Sequence, residues 1–362
     1  MKYLKKFSAY DKLLKRRRIF KNKMKREYTN KRINKAGEML KKYSLDDEFI
    51  KEDIDIINSW REAHSLALEE LVSLTKKRVK QVGGQMTVVS RLKKLESIKL
   101  KLELAENMQL SRMQDIGGCR VIVEDTKKLF HILNRIQKFH GGFELTKIDD
   151  YIQKPKDSGY RGVHFTFQAN TKKDEYKILL ELQFRTRLQH AWATAVEIAG
   201  LFNKASFKSN QSNGKDEWLE FFKMVSYLFA YEEFIGMPNE EKVVQLANNI
   251  KRFEKMYSFI RRLKSYNITY NLMNKNESDK EYFLLELNLS NGLLNVYPFS
   301  KEKLEVAQAQ YFYIESMNNP VINAVLVSAS TFKSIENGYL NYFANSAYFI
   351  KEYTRIIRKY TR

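Results

Sequence analysis

Tyr176-Lys-Ile-Leu-Leu-Glu-Leu-Gln-Phe184, running on into Arg185-Thr186, decides how this chain is read. In a strand, residues two apart point the same way. Leu180, Leu182 and Phe184 then fill a core, while Glu181, Gln183 and, just past the strand end, Arg185 share the other face. A carboxylate on an otherwise apolar strand needs a partner or a metal if it is buried. The plain alternative is a Glu181–Arg185 surface ion pair on an edge strand. Upstream, Val163–Ala169 alternates: Val163, Phe165 and Phe167 face one way, His164, Thr166 and Gln168 the other. Cys119–Glu124 reads as a short buried strand, Leu129–His140 as a helix, Phe143–Tyr151 as a strand and Arg187–Ala199 as a helix. Helices alternating with strands over 88–200 predict an α/β domain, a mixed β-sheet flanked by helices.

Further upstream, Ser59-Trp60-Arg61-Glu62 matches a capping box and predicts a helix start at Ser59. Trp60, His64, Leu68 and Leu71 follow on one helical face. Downstream, the polar stretch 201–215 reads as a linker. Residues 216–362 then read as a separate C-terminal α+β domain without a chemical motif. It holds a helix from Asp216, a second over Asn239–Lys264, a hairpin (Glu281–Leu289, Ser290-Asn291-Gly292, Leu293–Phe299), strands at Gln310–Ser316 and Ile322–Ala329, and a closing helix with Phe349, Tyr353, Ile356 and Ile357 on one face.

The chain has 362 residues, which at about 150 per domain suggests two. Its formal net charge is +21, pointing to a polyanionic partner such as nucleotide phosphates or nucleic acid. Residues 1–36 hold 15 lysines and arginines against Asp11 and Glu27. Residues 1–58 are therefore expected to be a basic N-terminal arm, either lying on a phosphate backbone or simply solvated. The lone Cys119 forbids an intramolecular disulfide and a cysteine-based zinc site. No stretch approaches 18 uninterrupted apolar residues and the N-terminus lacks an apolar signal core, so a cytoplasmic, non-membrane protein is expected.

A second carboxylate, Asp115, precedes Ile116-Gly117-Gly118 and the strand after it. Two carboxylates at neighbouring strand ends suit Mg2+, or Mn2+ as another hard cation, with substrate phosphates completing the shell. A basic collar surrounds them: Arg91, Lys93, Lys94, Lys99, Lys101, Arg120, Lys154, Lys156, Arg161 and Arg185. Tyr160, in a loop bent by Pro155 and Gly159, either stacks on a nucleobase or packs into the core. Neither a Gly-x4-Gly-Lys-Ser/Thr loop nor a Gly-x-Gly-x-x-Gly fingerprint is present.

Four segments, in this order, resemble the synthetase domain of the RelA/SpoT family, which makes guanosine tetra- and pentaphosphate. Ser90-Arg91-Leu92-Lys93, with Ser97 and Lys101, is similar to its ATP-binding segment. Asp115-Ile-Gly-Gly-Cys-Arg120 is similar to its magnesium-Asp segment. Asp150-Tyr151 through Lys156, Gly159-Tyr160-Arg161 and His164 is similar to its acceptor loop. Glu181-Leu-Gln183-Phe-Arg185-Thr186, followed by His190, Trp192 and Glu197, is similar to its Glu-x-Gln-x-Arg-Thr strand and helix. The resemblance covers about 60–200 and implies a nucleotidyltransferase-like synthetase domain at 59–200. It implies transfer of the β,γ-pyrophosphate of ATP to a ribose 3′-hydroxyl of GDP or GTP. Asp115 and Glu181 would be catalytic and hold the metal. Arg91, Lys93, Ser97, Lys101 and Arg120 would bind ATP. Lys156, Tyr160, Arg161, His164, Gln183 and Arg185 would bind the acceptor.

Where family members commonly carry Gly-Tyr-x-Ser-Ile-His, this chain has Gly162 in place of the serine. Nothing resembles the family's hydrolase domain or its long regulatory tail, which implies a short, synthesis-only member, a class that often forms homo-oligomers. Two other functions stay open. One is toxin-like pyrophosphorylation of the tRNA 3′ end, engaged through the basic arm, controlled by the C-terminal domain and serving phage defence. The other is a catalytically silent tRNA- or ribosome-binding module.

Overall fold

The computed structural model describes residues 29–137, 142–169, 177–203, 217–235, 239–266, 268–272 and 280–361. Residues 1–28 of the expected arm and 204–215 of the expected linker lie outside them. A nine-stranded mixed sheet organises the chain. Its strands are β1 (Thr87–Leu92), β2 (Gly117–Val123), β3 (Phe143–Asp150), β4 (Val163–Ala169), β5 (Ile178–Thr186), β6 (Thr269–Leu272), β7 (Lys280–Asn288), β8 (Leu293–Ser300) and β9 (Ile322–Ala329). Their spatial order is β3-β4-β5-β2-β1-β9-β7-β8-β6. The β2–β5 and β6–β8 pairs are parallel and the others antiparallel. Around the sheet lie α1 (Asn30–Lys42), α2 (Lys51–Val82), α3 (Leu95–Leu104), α4 (Thr126–Gln137), α5 (Arg187–Asn203), α6 (Glu217–Glu232), α7 (Glu240–Tyr257), α8 (Phe259–Ser265), α9 (Leu304–Ser316), α10 (Phe332–Gly338) and α11 (Ala347–Tyr360). This is the mixed sheet with flanking helices that the alternation predicts.

The domain boundary is not where composition put it. β9 pairs with β1 (Val89↔Ala329, Ser90↔Ser328, Arg91↔Val327), so the C-terminal strands extend the sheet formed by residues 87–186. Without β9, β1 would carry a row of unpaired backbone groups at an open edge. The apolar alternation of 322–329 supplies the missing partner. The capping-box reading of Ser59 is also corrected: α2 begins at Lys51, with Glu52 and Asp53 in its first turn, and Ser59 is buried mid-helix. Ile56, Ile57 and Trp60 carry the apolar stripe across that point, and acidic groups suit a helix N-terminus. Residues 30–58 of the expected arm are accordingly folded. In α1, Ile33, Ala36 and Leu40 pack with Trp60 of α2 and with Ile98 and Leu102 of α3.

Residues 310–316 form the end of α9, not a strand. Leu304, Ala307, Gln308, Tyr311 and Phe312 recur at helical spacing, and that longer stripe outweighs the short aromatic run. The helix expected over 239–264 is two, broken at Ser258, whose backbone is left-handed (φ 54°). One face of the sheet packs on α2, α4 and α9 through Leu71, Leu129, Tyr311 and their neighbours. No helix among the described residues is long and apolar enough to cross a membrane.

Candidate active site

The other face of the sheet carries the charges. Strand register puts Arg91, Gly118, Glu181 and Thr166 in one row across β1, β2, β5 and β4. The next row holds Val89, Arg120, Gln183 and His164. Gly118 presents no side chain beside Glu181, and an added Cβ would meet only the Glu181 carbonyl, at 4.0 Å. The row therefore has open space between its carboxylate and its arginine.

Asp115, two residues before β2, accepts from Lys93 Nζ at 2.7 Å through Oδ2 and from Lys101 Nζ at 2.8 Å through Oδ1. Burial pushes its carboxyl up, but the two ammonium groups outweigh burial and the nearby Glu181, and hold it below the ordinary range. Glu181 is paired with His164, Oε1 lying 2.9 Å from Nδ1, and accepts from Gln183 Nε2 through Oε2. Burial again pushes up, yet His164, Gln183 and Lys101 bring it well below the ordinary carboxylate range. Lys101 acts on both carboxylates, so the two belong to one electrostatic cluster. Arg120 donates from Nε to Gln183 Oε1 at 3.4 Å. Burial, then Arg185 and Arg91, push its guanidinium down to about 9. Three arginines crowded in this way favour an arriving anion.

Residues 90–211 match the model for the region found in RelA / SpoT proteins. The chain is 31% identical over 162 residues to the GTP pyrophosphokinase YwaC of Bacillus subtilis, covering 42% of this chain and 72% of that protein. The chain belongs to the RelA/SpoT family. A second Bacillus subtilis GTP pyrophosphokinase, YjbM, is 30% identical over 111 residues, covering 30% of this chain and 52% of that one. The crystal structure of small alarmone synthetase 2 from Bacillus subtilis is 23% identical and covers 48% of this chain and 92% of its own, with a TM-score of 0.40.

Of the residues expected to bind ATP, Lys93 follows β1 and Lys101 lies in α3. Ser97, also in α3, is half-buried, and its hydroxyl makes no hydrogen bond among the described residues. Of those expected to bind the acceptor, Tyr160 is only 4% exposed. Its hydroxyl lies 2.6 Å from His164 Nε2 and accepts from Arg185 Nη2 at 2.7 Å. Arg185 and Lys156 lie over the ring, 4.9 and 5.3 Å from its centroid. Tyr160 thus aligns His164 and Glu181 from behind and presents no free face for a base. Tyr151, which the sequence reading placed in the acceptor loop without giving it a role, is half-buried beside it, with Lys156 Nζ 4.7 Å above its ring. Arg161 is turned away from the site. It donates to the Ile152 carbonyl at 2.9 Å and lies over Tyr227 of α6. Gly162 explains the missing serine. At φ 154° an added Cβ would fall 3.1 Å from the Phe184 carbonyl and 3.3 Å from Arg185 Cγ.

The sequence reading also missed what covers the arginines. Arg120 Nη1 donates to the Gly338 carbonyl at 3.2 Å, and His190 Nε2 lies 3.0 Å from the Asn337 carbonyl. Gly338 is pressed so closely onto β1 that a Cβ there would sit 2.6 Å from Val89 Cγ1. Tyr339 and Tyr342 follow, both buried. Lys94 lies 5.2 Å over the Tyr342 ring, and the Tyr342 hydroxyl donates to Asn323 Oδ1 at 2.8 Å. No motif marks this segment in the sequence; only its aromatic content hints at burial.

No group of three or more His, Cys, Asp or Glu side chains that could hold a metal occurs among the described residues. Asp115 and Glu181 remain as a pair of ionised oxygen donors. That set fits Mg2+, which binds one or two carboxylates and takes its other ligands from phosphates and water.

Proposed function

We propose that this chain is a pyrophosphokinase that transfers the β,γ-pyrophosphate of ATP to the ribose 3′-hydroxyl of GDP or GTP. The observation that best supports this reading is the Asp115–Glu181 cluster on one sheet face, backed by Lys93, Lys101, Arg91 and Arg120. Both carboxylates stay ionised, and the cations around them match a triphosphate in sign. Lys93 and Lys101 exchange Asp115 for phosphate oxygens when ATP arrives. Mg2+ held by Asp115 and Glu181 would neutralise the phosphates and draw electron density from the β-phosphorus. Glu181, held low, is a weak base, so its main work is orienting the acceptor hydroxyl with His164. Lys156 and Tyr151 line the acceptor side. Catalysis then rests on positioning and charge stabilisation.

The covering segment supports a regulated enzyme. ATP reaches Arg91 and Arg120 once Gly338–Tyr342 lifts from β1, so the C-terminal part restrains synthesis until something displaces it. The charge of residues 1–36 supports a second reading, in which the acceptor is the 3′ end of tRNA.

The test is incubation with γ-labelled ATP, Mg2+ and either GDP/GTP or tRNA. Label is expected on the guanosine nucleotide. Label on tRNA alone replaces that acceptor; label on neither, with firm tRNA binding, replaces the enzyme with a silent module.

A further inference from the structure

On the sheet face opposite Asp115, α2 and α9 form a groove. Gln308 Nε2 donates to Ser65 Oγ at 2.6 Å, and the Tyr282 hydroxyl is bonded to Glu69. Beyond these bridges lies a cleft of about 270 Å³. Its floor is the seam between β1 and β9, where Ser90 and Ser328 are cross-strand partners. Ser90 is only 4% exposed, and its hydroxyl has no hydrogen-bond partner among the described residues. The hydroxyl opens on the cleft floor, where a ligand's polar group can bond to it as both donor and acceptor. Ser328 beside it is equally unbonded. Lys76 of α2 and Lys301, just ahead of α9, line the same cleft and make no ion pair among the described residues. Leu68 and Leu304 give it apolar walls.

We infer that this groove binds a ribose phosphate, free or carrying a nucleobase. Lys76 and Lys301 hold the phosphate, Ser90 and Ser328 meet the sugar hydroxyls, and a base, where present, lies against Leu68 and Leu304. Glu281 at the rim accepts from a sugar hydroxyl and disfavours more highly charged anions. The volume suits a nucleoside monophosphate. A ligand bridging Ser90 and Ser328 clamps the short ladder in which Arg91 takes part.

Isothermal titration of the full chain with ribose 5-phosphate and, separately, AMP tests this without turnover. An inactive chain that still binds would leave the groove standing while the proposed reaction falls. Lys76→Gln/Lys301→Gln is expected to weaken ribose 5-phosphate binding at least tenfold, and Ser328→Val to do the same, with circular dichroism verifying the fold. Asp115→Asn should leave that binding unchanged. Tighter binding of AMP, lost in the lysine variant, places a base in the groove. No binding of ribose 5-phosphate, or binding indifferent to the lysine substitutions, overturns the proposal.

Discussion

One face of this sheet has two halves of opposite character. Across β4, β5, β2 and β1 it carries His164, Glu181, Gln183, Arg185, Arg120 and Arg91. Across β9, β7 and β8 the same face carries Val325, Val327, Phe283, Leu285, Leu294 and Val296, packed with Ile335, Tyr339 and Tyr342. Burial of Glu181, Arg120 and Arg185 on the first half is tolerated because each has a hydrogen-bond partner there, an arrangement that is costly for stability and useful for chemistry. The second half is ordinary apolar core. Because the two are continuous, the segment seated on the apolar half reaches over the edge of the charged half.

The largest expected effect falls on the charged half. Asp115→Asn or Glu181→Gln should lower pyrophosphate transfer roughly 10²-fold or more with melting temperature little changed. Near-native rates in either variant would remove the metal assignment. Next is the boundary between the halves. Tyr339→Ala with Tyr342→Ala should loosen the covering segment and raise turnover at low ATP by about tenfold, a shift of ordinary allosteric size. A fall in turnover with intact circular dichroism would mean that the segment helps the reaction rather than restrains it.

The third effect is on stability. Arg61 is fully buried, and its Nη1 donates to Glu315 Oε2 at 2.7 Å, tying α2 to α9. Glu315→Gln should cost roughly 3–5 kcal/mol by leaving a buried guanidinium unpaired. Denaturant titration showing under about 1 kcal/mol would make that pair incidental. Smallest is the pH response of Lys94. Burial, then Arg91, push its ammonium down to about 7 from its usual value. Between about pH 7 and 10 the unfolded chain binds the extra proton, so stability rises with pH across that window and is flat below it, where both states are protonated. Lys94→Met should flatten this slope in thermal melts from pH 6.5 to 9.5; an unchanged slope would assign it elsewhere.

Much of this was legible in the chain itself. The strand Val163–Ala169 alternates without interruption, and the Ser290-Asn291-Gly292 turn announces its hairpin, because both signals are local. Glu181 stood out as a carboxylate on an apolar strand, whereas Asp115, an ordinary turn residue by itself, was marked by the family resemblance. The errors came from long-range choices. Ser59 carries a good local cap signal, but Ile56 and Ile57 made a longer helix more favourable. Tyr160 and Arg161 are neighbours in a basic loop, yet Gly159 (φ 90°) and Gly162 turn one into the core and the other toward α6. The union of the two expected domains depends on β1 accepting β9, a pairing across more than 200 residues that no local pattern encodes.

That pairing has a further consequence. Only three residue pairs join β1 to β9, whereas six join β1 to β2. A protease cutting between β1 and β9 would release a fragment whose charged half ends in a bare, unprotected strand. Such an edge invites self-association. Loss of the C-terminal strands would therefore yield a particle prone to clumping.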